Sequence, residues 1–100
     1  MAKQNNLTAL PNIGQTLANR LAAIGIYDKE TLAETGPALA YQRICDAAGR
    51  TLPVCYNLYS LEAALRGHDW RLLSDADKKT LQQAAKLEKK NKSPAVRRAQ

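Results

Sequence analysis

The residues of this chain that could do chemistry begin with one short run, residues 10–14, whose sequence is Leu-Pro-Asn-Ile-Gly. Proline, asparagine and glycine this close together favour a tight turn, and the apolar residues that follow recur with the period of a helix. Such a turn leaves backbone N–H groups unpaired at the start of the helix, where phosphate binds without needing a particular side chain. The run therefore predicts an anion site, and nucleic acid is the first partner to test.

Four other residues have side chains that can bind a metal ion: Cys45, Cys55, His68 and Asp69. Their spacing contains no Cys-x-x-Cys pair, and Cys45 falls on an apolar helical stripe where a small buried thiol is ordinary. The chain also has a single histidine, no glycine-rich phosphate loop and no spacing that supports a Ser/His/Asp or Cys/His pair. We therefore expect no metal, no cofactor and no catalytic activity.

The positive charge of the chain is concentrated at its C-terminal end. The net charge is +6 over 100 residues, and the part before Lys86 is close to neutral. The basic segment that carries the excess consists of Lys86, Lys89, Lys90, Lys92, Arg97 and Arg98. It can attract polyanions without sequence preference and in a salt-dependent way. A solvated terminus with no partner is the alternative interpretation.

The elements that must position these residues are helices. No segment alternates with a period of two, so the pattern predicts an all-α chain of five to six short helices. The second helix follows the turn, with an apolar stripe at Ile13, Leu17, Leu21 and Ile24. Glycines are expected to end four of the helices: Gly25, Gly36, Gly49 and Gly67.

Two helix starts also have predicted caps. Asp28 can accept a hydrogen bond from the first turn of the third helix, and Ser74 with Asp77 forms a capping pair for the last one. That last helix is expected to run from about residue 75 to about residue 90, where Ser93-Pro94 follows as a helix breaker. The sequence thus predicts one helical domain over residues 1–90 and a disordered basic tail over residues 91–100.

Two family resemblances follow from these residues. The turn and second helix resemble the helix-hairpin-helix motif, with Leu10, Ile13 and Gly14 in the pattern and Ala18 as the small helical residue. The chain as a whole resembles the C-terminal domain of the TfoX/Sxy family of bacterial competence regulators. Residues 10–14, 21–26 and 58–67 carry that likeness, and Trp70 continues it. The resemblance implies an all-helical fold with an N-terminal helix-hairpin-helix motif and a regulatory role in DNA uptake or gene expression.

The turn departs from the general hairpin pattern in two ways. Asn12 occupies the first glycine position, and asparagine tolerates the left-handed conformation better than other residues with a side chain. Neutral residues follow Gly14, where DNA-binding hairpins often have Lys or Arg. Because cations supply most non-specific affinity, weak, sequence-independent DNA binding is expected. The expected contacts are the N–H groups of Ile13 and Gly14, with side chains of Asn12, Gln15, Thr16 and Arg20.

A protein–protein interaction module with no direct DNA binding is the second hypothesis. Tyr56, Tyr59 and Arg66 have residue types that are enriched at interfaces and are expected to share an exposed helix face. A transcription regulator is one partner that such a face would suit. The hairpin itself can also be a scaffold that only orients two helices, and packing against the core is the expected role of most aromatic residues.

The remaining features concern location. The chain has no apolar run long enough to span a membrane and no apolar leader near Met1. Its two cysteines are too few for a disulfide framework. We therefore expect a cytoplasmic protein with no membrane partner, and the sequence leaves its oligomeric state open.

Overall fold

The chain folds into five α-helices in a computed structural model that describes residues 7–98 and, up to residue 88, their side chains. The helices are α1 (Gln15–Ala23), α2 (Lys29–Thr35), α3 (Pro37–Ala48), α4 (Ser60–Arg66) and α5 (Asp75–Arg98). Two 3₁₀ turns, Leu7–Ala9 and Trp70–Leu72, and a π-helix, Cys55–Tyr59, connect them. The described residues contain no strand, which confirms the predicted all-α class.

Most helix ends lie where the sequence predicts caps. Gly49 and Gly67 follow α3 and α4 with φ of 75° and 87°, in the left-handed region that favours glycine. At the start of α2, the Asp28 carboxylate accepts from the Thr31 N–H at 2.8 Å. The Ser74 hydroxyl accepts from the Asp77 N–H at 3.0 Å at the start of α5. Local capping chemistry therefore sets these boundaries.

Helix α3 lies at the centre of the fold and packs against the other four helices and the π-helix. Its buried face contains Ala40, Tyr41, Ile44 and Cys45, whereas Ala48, which continues the same helical period, is exposed. The first 3₁₀ turn contributes Leu7, which is fully buried. Because α1 packs on both this turn and α3, the turn at residues 10–14 is attached firmly to the core.

The segment before α4 is not a regular α-helix, although Val54, Leu58, Leu61 and Leu65 recur in the sequence with an α-helical period. It is a π-helix, in which the backbone turn is one residue wider than in an α-helix. The extra residue rotates polar side chains inward, so that Asn57 is 1% exposed and Ser60 2% exposed. The Ser60 hydroxyl donates to the Cys55 carbonyl at 3.2 Å, which satisfies one of these buried groups.

The predicted end of the last helix, near Lys90, is wrong. Helix α5 continues to Arg98, through Ser93-Pro94. Proline removes one backbone donor and disfavours, without forbidding, a helical residue before it. Residues 99–100 and 1–6 lie outside the described part. No helix among the described residues is both long and apolar enough to cross a membrane.

Candidate functional site

The turn before α1 adopts the tight conformation that its sequence predicts. Asn12 has φ of 70°, the single described residue other than glycine with a positive φ. The Leu10 N–H donates to the Leu7 carbonyl at 2.9 Å, and the Ile13 N–H donates to the Leu10 carbonyl at 3.4 Å. The Ile13 N–H is therefore engaged inside the turn, which does not favour its predicted contact with phosphate.

The Asn12 side chain is also engaged within the protein. Its Nδ2 donates to the His68 carbonyl at 2.7 Å, and its Oδ1 accepts from the Trp70 N–H at 3.1 Å. Both ends of the amide are engaged, although the second Nδ2 hydrogen is not used by these two bonds, so the phosphate contact of Asn12 stays a prediction. It instead joins the turn to the segment after α4 and holds Trp70 beside the start of α1.

The start of α1 remains open. Gly14 is the N-cap residue, with φ of −91°, and no side chain in the described part of the chain caps the helix. The first N–H groups of a helix have no acceptor within it, so those of Gln15 and Thr16 are available at an exposed surface. The Gln15 side chain donates to Asn19 Oδ1 at 2.8 Å, which leaves these backbone groups uncovered.

Arg20 lies one turn further along α1, in a fixed position. Its Nη1 donates to Asn57 Oδ1 at 2.7 Å, and Asn57 Nδ2 donates to the Pro53 carbonyl at 2.7 Å. Asn57 is neutral, so it orients the guanidinium without cancelling its charge. The described ion pairs join Arg66 to Glu62 and Asp77, and Arg71 to Asp69, and none involves Arg20.

An aromatic cluster, consisting of Tyr56, Tyr59 and Trp70, borders the same surface. The ring centroids of Tyr56 and Trp70 are 6.0 Å apart at 78°, and those of Tyr59 and Trp70 are 6.3 Å apart. The Lys78 ammonium lies 5.8 Å from the Trp70 and Tyr59 ring centroids, within cation–π range. Tyr56 is 67% exposed.

These parts enclose a groove of about 290 Å³, the α1 groove, lined by Asn12, Gly14, Gln15, Thr16, Leu17, Arg20, Tyr56, Ser60 and Trp70. The structure thus brings together five of the six predicted phosphate-binding residues, leaving out Ile13, whose side chain is buried. The groove combines open backbone donors, an uncompensated cation and an exposed aromatic ring. These groups can bind a phosphate and an adjacent planar, apolar group.

Sequence reasoning missed Asn57 as an orienting residue and Lys78 as a cation near the groove. An α-helical period gives no reason to bury the polar Asn57, whereas the π-helix changes the register and turns it inward. Lys78 carries no signal in the sequence, since its neighbour Lys79 is the same residue type. Only the packing of α5 against the π-helix brings Lys78 to the aromatic cluster.

Tyr56, Tyr59 and Arg66 do not form the shared exposed face that the protein–protein hypothesis predicts. Tyr59 is 4% exposed, and its hydroxyl accepts from Gln82 Nε2, so the prediction that it is exposed is wrong. Arg66 is exposed and bonded to Asp77 and Glu62, which raise its pKa.

In the basic segment, Lys86 is exposed beside a cavity between α3 and α5. The side chains of its other members lie outside the described residues.

The residues weighed as metal ligands have other surroundings. Cys45 is buried and its sulfur accepts from the Leu52 N–H at 3.4 Å. The His68 ring lies beside the Asp69 carbonyl at 3.0 Å. Within residues 7–98, no group of three or more His, Cys, Asp or Glu side chains is placed to hold a metal ion.

Comparisons with known proteins bear on the family. Neither the curated proteins nor the solved structures give a match to this chain. A family model described as the TfoX C-terminal domain matches residues 3–85, which include the turn, the α1 groove and α1 to α4. That domain is of a regulatory type and is not a known enzyme family. With most of its length covered by this match, the chain belongs to the TfoX C-terminal domain family.

Proposed function

We propose that this chain is a non-catalytic bacterial regulatory module that binds the phosphate backbone of nucleic acid through the α1 groove. The binding is weak and independent of sequence, and the basic segment assists it. A role in competence or transcription and a cytoplasmic location belong to the same proposal. Membership of a regulatory-type family supports the regulatory part.

One observation carries the proposal: the uncapped start of α1 lies in the same groove as the uncompensated Arg20 guanidinium. Backbone N–H groups and the helix dipole favour an anion at that end, and guanidinium binds phosphate with two parallel hydrogen bonds. The groups of the groove carry no carboxylate that would repel the anion. Few cations are present, which is why the expected affinity is low at physiological salt.

A protein–protein interaction module with no direct nucleic-acid binding is the second candidate. Three exposed apolar side chains favour it, namely Tyr56, Leu72 and Leu87, with exposed fractions of 67%, 70% and 60%. A transcription regulator is a suitable partner for such a surface. The burial of Tyr59 weakens this candidate, because it removes one of its three expected anchors.

The test is fluorescence anisotropy of a labelled generic DNA with Gly14→Asp, using Gly14→Ala as the matched control. A Cβ at Gly14 meets no atom within 4 Å, and φ of −91° suits any residue, so we expect both variants to fold. An aspartate caps the N–H groups and places a negative charge at the phosphate position. We expect at least about tenfold weaker binding for Gly14→Asp and little change for Gly14→Ala.

A salt series separates the α1 groove from the basic segment. If Arg20 and Lys78 make the cationic contacts, the plot of log K against log salt has a slope of about −1.4 to −1.8, whereas six contacts give about −4.2 to −5.4. A variant with glutamine in place of the five basic residues after Lys86 should retain binding. Complete loss of affinity in that variant, with Gly14→Asp unaffected, would contradict the proposal and leave only the basic segment.

A further inference from the structure

Tyr56 is an exposed aromatic residue that phosphate binding does not use. It lies on the π-helix, with two thirds of its surface exposed. Its contact with Trp70 is edge-to-face, at 78°, so the neighbouring ring does not cover it. A single exposed aromatic ring is ordinary on a protein surface, but this one lines the α1 groove, where it is open to a ligand.

The Tyr56 ring is held at a defined place in the α1 groove. Asn12 fixes the backbone at Trp70 through the hydrogen bond to its N–H, and Trp70 supports Tyr56. Asn57, the residue after Tyr56 in the chain, holds Arg20 through a hydrogen bond to its guanidinium. Two amide side chains, the half-buried Asn12 and the buried Asn57, therefore set the position of an aromatic ring relative to a cation.

The charge of the surroundings indicates the kind of ligand. Arg20 is part of no described ion pair, and the Lys78 ammonium lies 5.8 Å from the Trp70 ring centroid. The ligand must therefore join an anionic group to a flat apolar ring within one groove. A nucleotide of a single strand has this composition, with a phosphate beside an unstacked base.

We propose that the α1 groove binds single-stranded nucleic acid, with an unpaired base stacked on Tyr56 and the adjacent phosphate at the start of α1 beside Arg20. This inference rests on the proposed function, because it names the form of nucleic acid that the same groove takes. In a duplex the base faces are covered by their neighbours, so Tyr56 has nothing to stack on. Stacking on an aromatic ring does not depend on which base is present.

The experiment compares three probes with the full chain: an oligothymidylate, an abasic oligodeoxynucleotide of the same length and charge, and a duplex. Trp70 is the only tryptophan of the chain, so its fluorescence reports on the groove itself. The variants are Tyr56→Ala and Tyr56→Phe, with Leu87→Ala as the control for removing an exposed apolar side chain elsewhere.

The oligothymidylate should quench Trp70 and bind more tightly than the other two probes. Tyr56→Ala should weaken its binding by about 5- to 150-fold, the effect of losing one stacked base. Tyr56→Phe and Leu87→Ala should bind as the unaltered chain does, and the abasic probe should be insensitive to Tyr56→Ala. In a second pair of variants, Lys78→Gln should weaken binding of the oligothymidylate, and Lys79→Gln should not.

The outcomes separate this inference from the proposed function. Equal binding of all three probes, unaffected by Tyr56→Ala but lowered by Gly14→Asp, overturns the single-strand inference and leaves phosphate binding in place. Binding that depends on Tyr56 but not on Gly14→Asp supports stacking and overturns the phosphate role. If no probe binds at low salt, both are overturned, and a protein partner becomes the next ligand to test.

Discussion

The starts of α1 and α2 make a direct comparison, because they lie in the same small domain and only one of them is capped by a side chain. At α2, the Asp28 side chain accepts from the Thr31 N–H at 2.8 Å. At α1, the N-cap residue is Gly14, and no described side chain takes that place. An N-cap stabilises a helix start and also blocks the groups that an anion would use. Stability and binding therefore have opposite requirements at a helix start.

The start of α5 follows the pattern of α2. Ser74 accepts from the Asp77 N–H, and the Asp77 carboxylate is bonded to Arg66 at 2.9 Å. Acidic residues in the first turn also interact favourably with the positive end of the helix dipole, and they repel an external anion. Among these three starts, only that of α1 lacks both features and also faces a groove with a cation.

The largest effect on stability is expected from Asn12→Ala, which breaks the link between the α1 turn and Trp70. The variant loses two part-buried hydrogen bonds. It also puts alanine at φ of 70°, where a residue with a Cβ is strained and no side-chain hydrogen bond offsets that strain. We expect the free energy of unfolding to fall by about 2–3 kcal/mol. Denaturant unfolding followed by Trp70 fluorescence measures this.

Asn12→Gly serves as the control for backbone strain, because glycine accepts a positive φ. It should lose less stability than Asn12→Ala, since only the hydrogen bonds are removed. Equal stability of the unaltered chain, Asn12→Ala and Asn12→Gly would show that Asn12 does not stabilise the turn or its contact with Trp70.

A smaller effect is expected from Asp28→Ala at the start of α2. Loss of an N-cap aspartate typically costs about 1 kcal/mol, and we expect a loss of this order in thermal or denaturant unfolding. Affinity for nucleic acid should not change, because this cap is not part of the α1 groove. A variant that lost stability and affinity for nucleic acid to the same degree would show that the starts of α1 and α2 are not independent.

The smallest effect concerns acid and the start of α5. Hydrogen bonds from Arg66, and then from Ser74, hold the pKa of Asp77 below its ordinary value. A carboxyl group with a lowered folded pKa stabilises the fold above its unfolded pKa, and this contribution is lost as the pH falls through the folded pKa. Asp77→Asn should therefore lower Tm slightly at pH 7 and have no effect in strong acid. A Tm difference that stays constant with pH would contradict this.

Much of the fold could be predicted from the sequence, because its boundaries depend on local chemistry. Glycine at a left-handed position and an acid or serine at an N-cap act within a few residues, and Gly49, Gly67 and Asp28 lie where they were expected. The end of α5 could not be placed in this way, because a proline disfavours a helix locally without deciding whether the helix continues.

The candidate site was predicted only in part, because its main contacts join distant residues. The turn and the start of α1 are local features. In contrast, Asn12 meets Trp70 58 residues away along the chain, and Arg20 meets Asn57 37 residues away. The π-helix shifts the register by one residue, which buried Asn57 and Tyr59 where an α-helical period exposes them. No local pattern reveals such contacts.

The most direct test of the open start of α1 is the set of backbone amide chemical shifts of the full chain, titrated with an oligothymidylate. Phosphate binding at the start of α1 should move the amide signals of Gln15 and Thr16 most, with those of Trp70 and Tyr56 following. The amide of Thr31, at the capped start of α2, should stay in place and serves as an internal control. Shifts confined to residues 86–98 would contradict the role given to the α1 groove and place all binding in the basic segment.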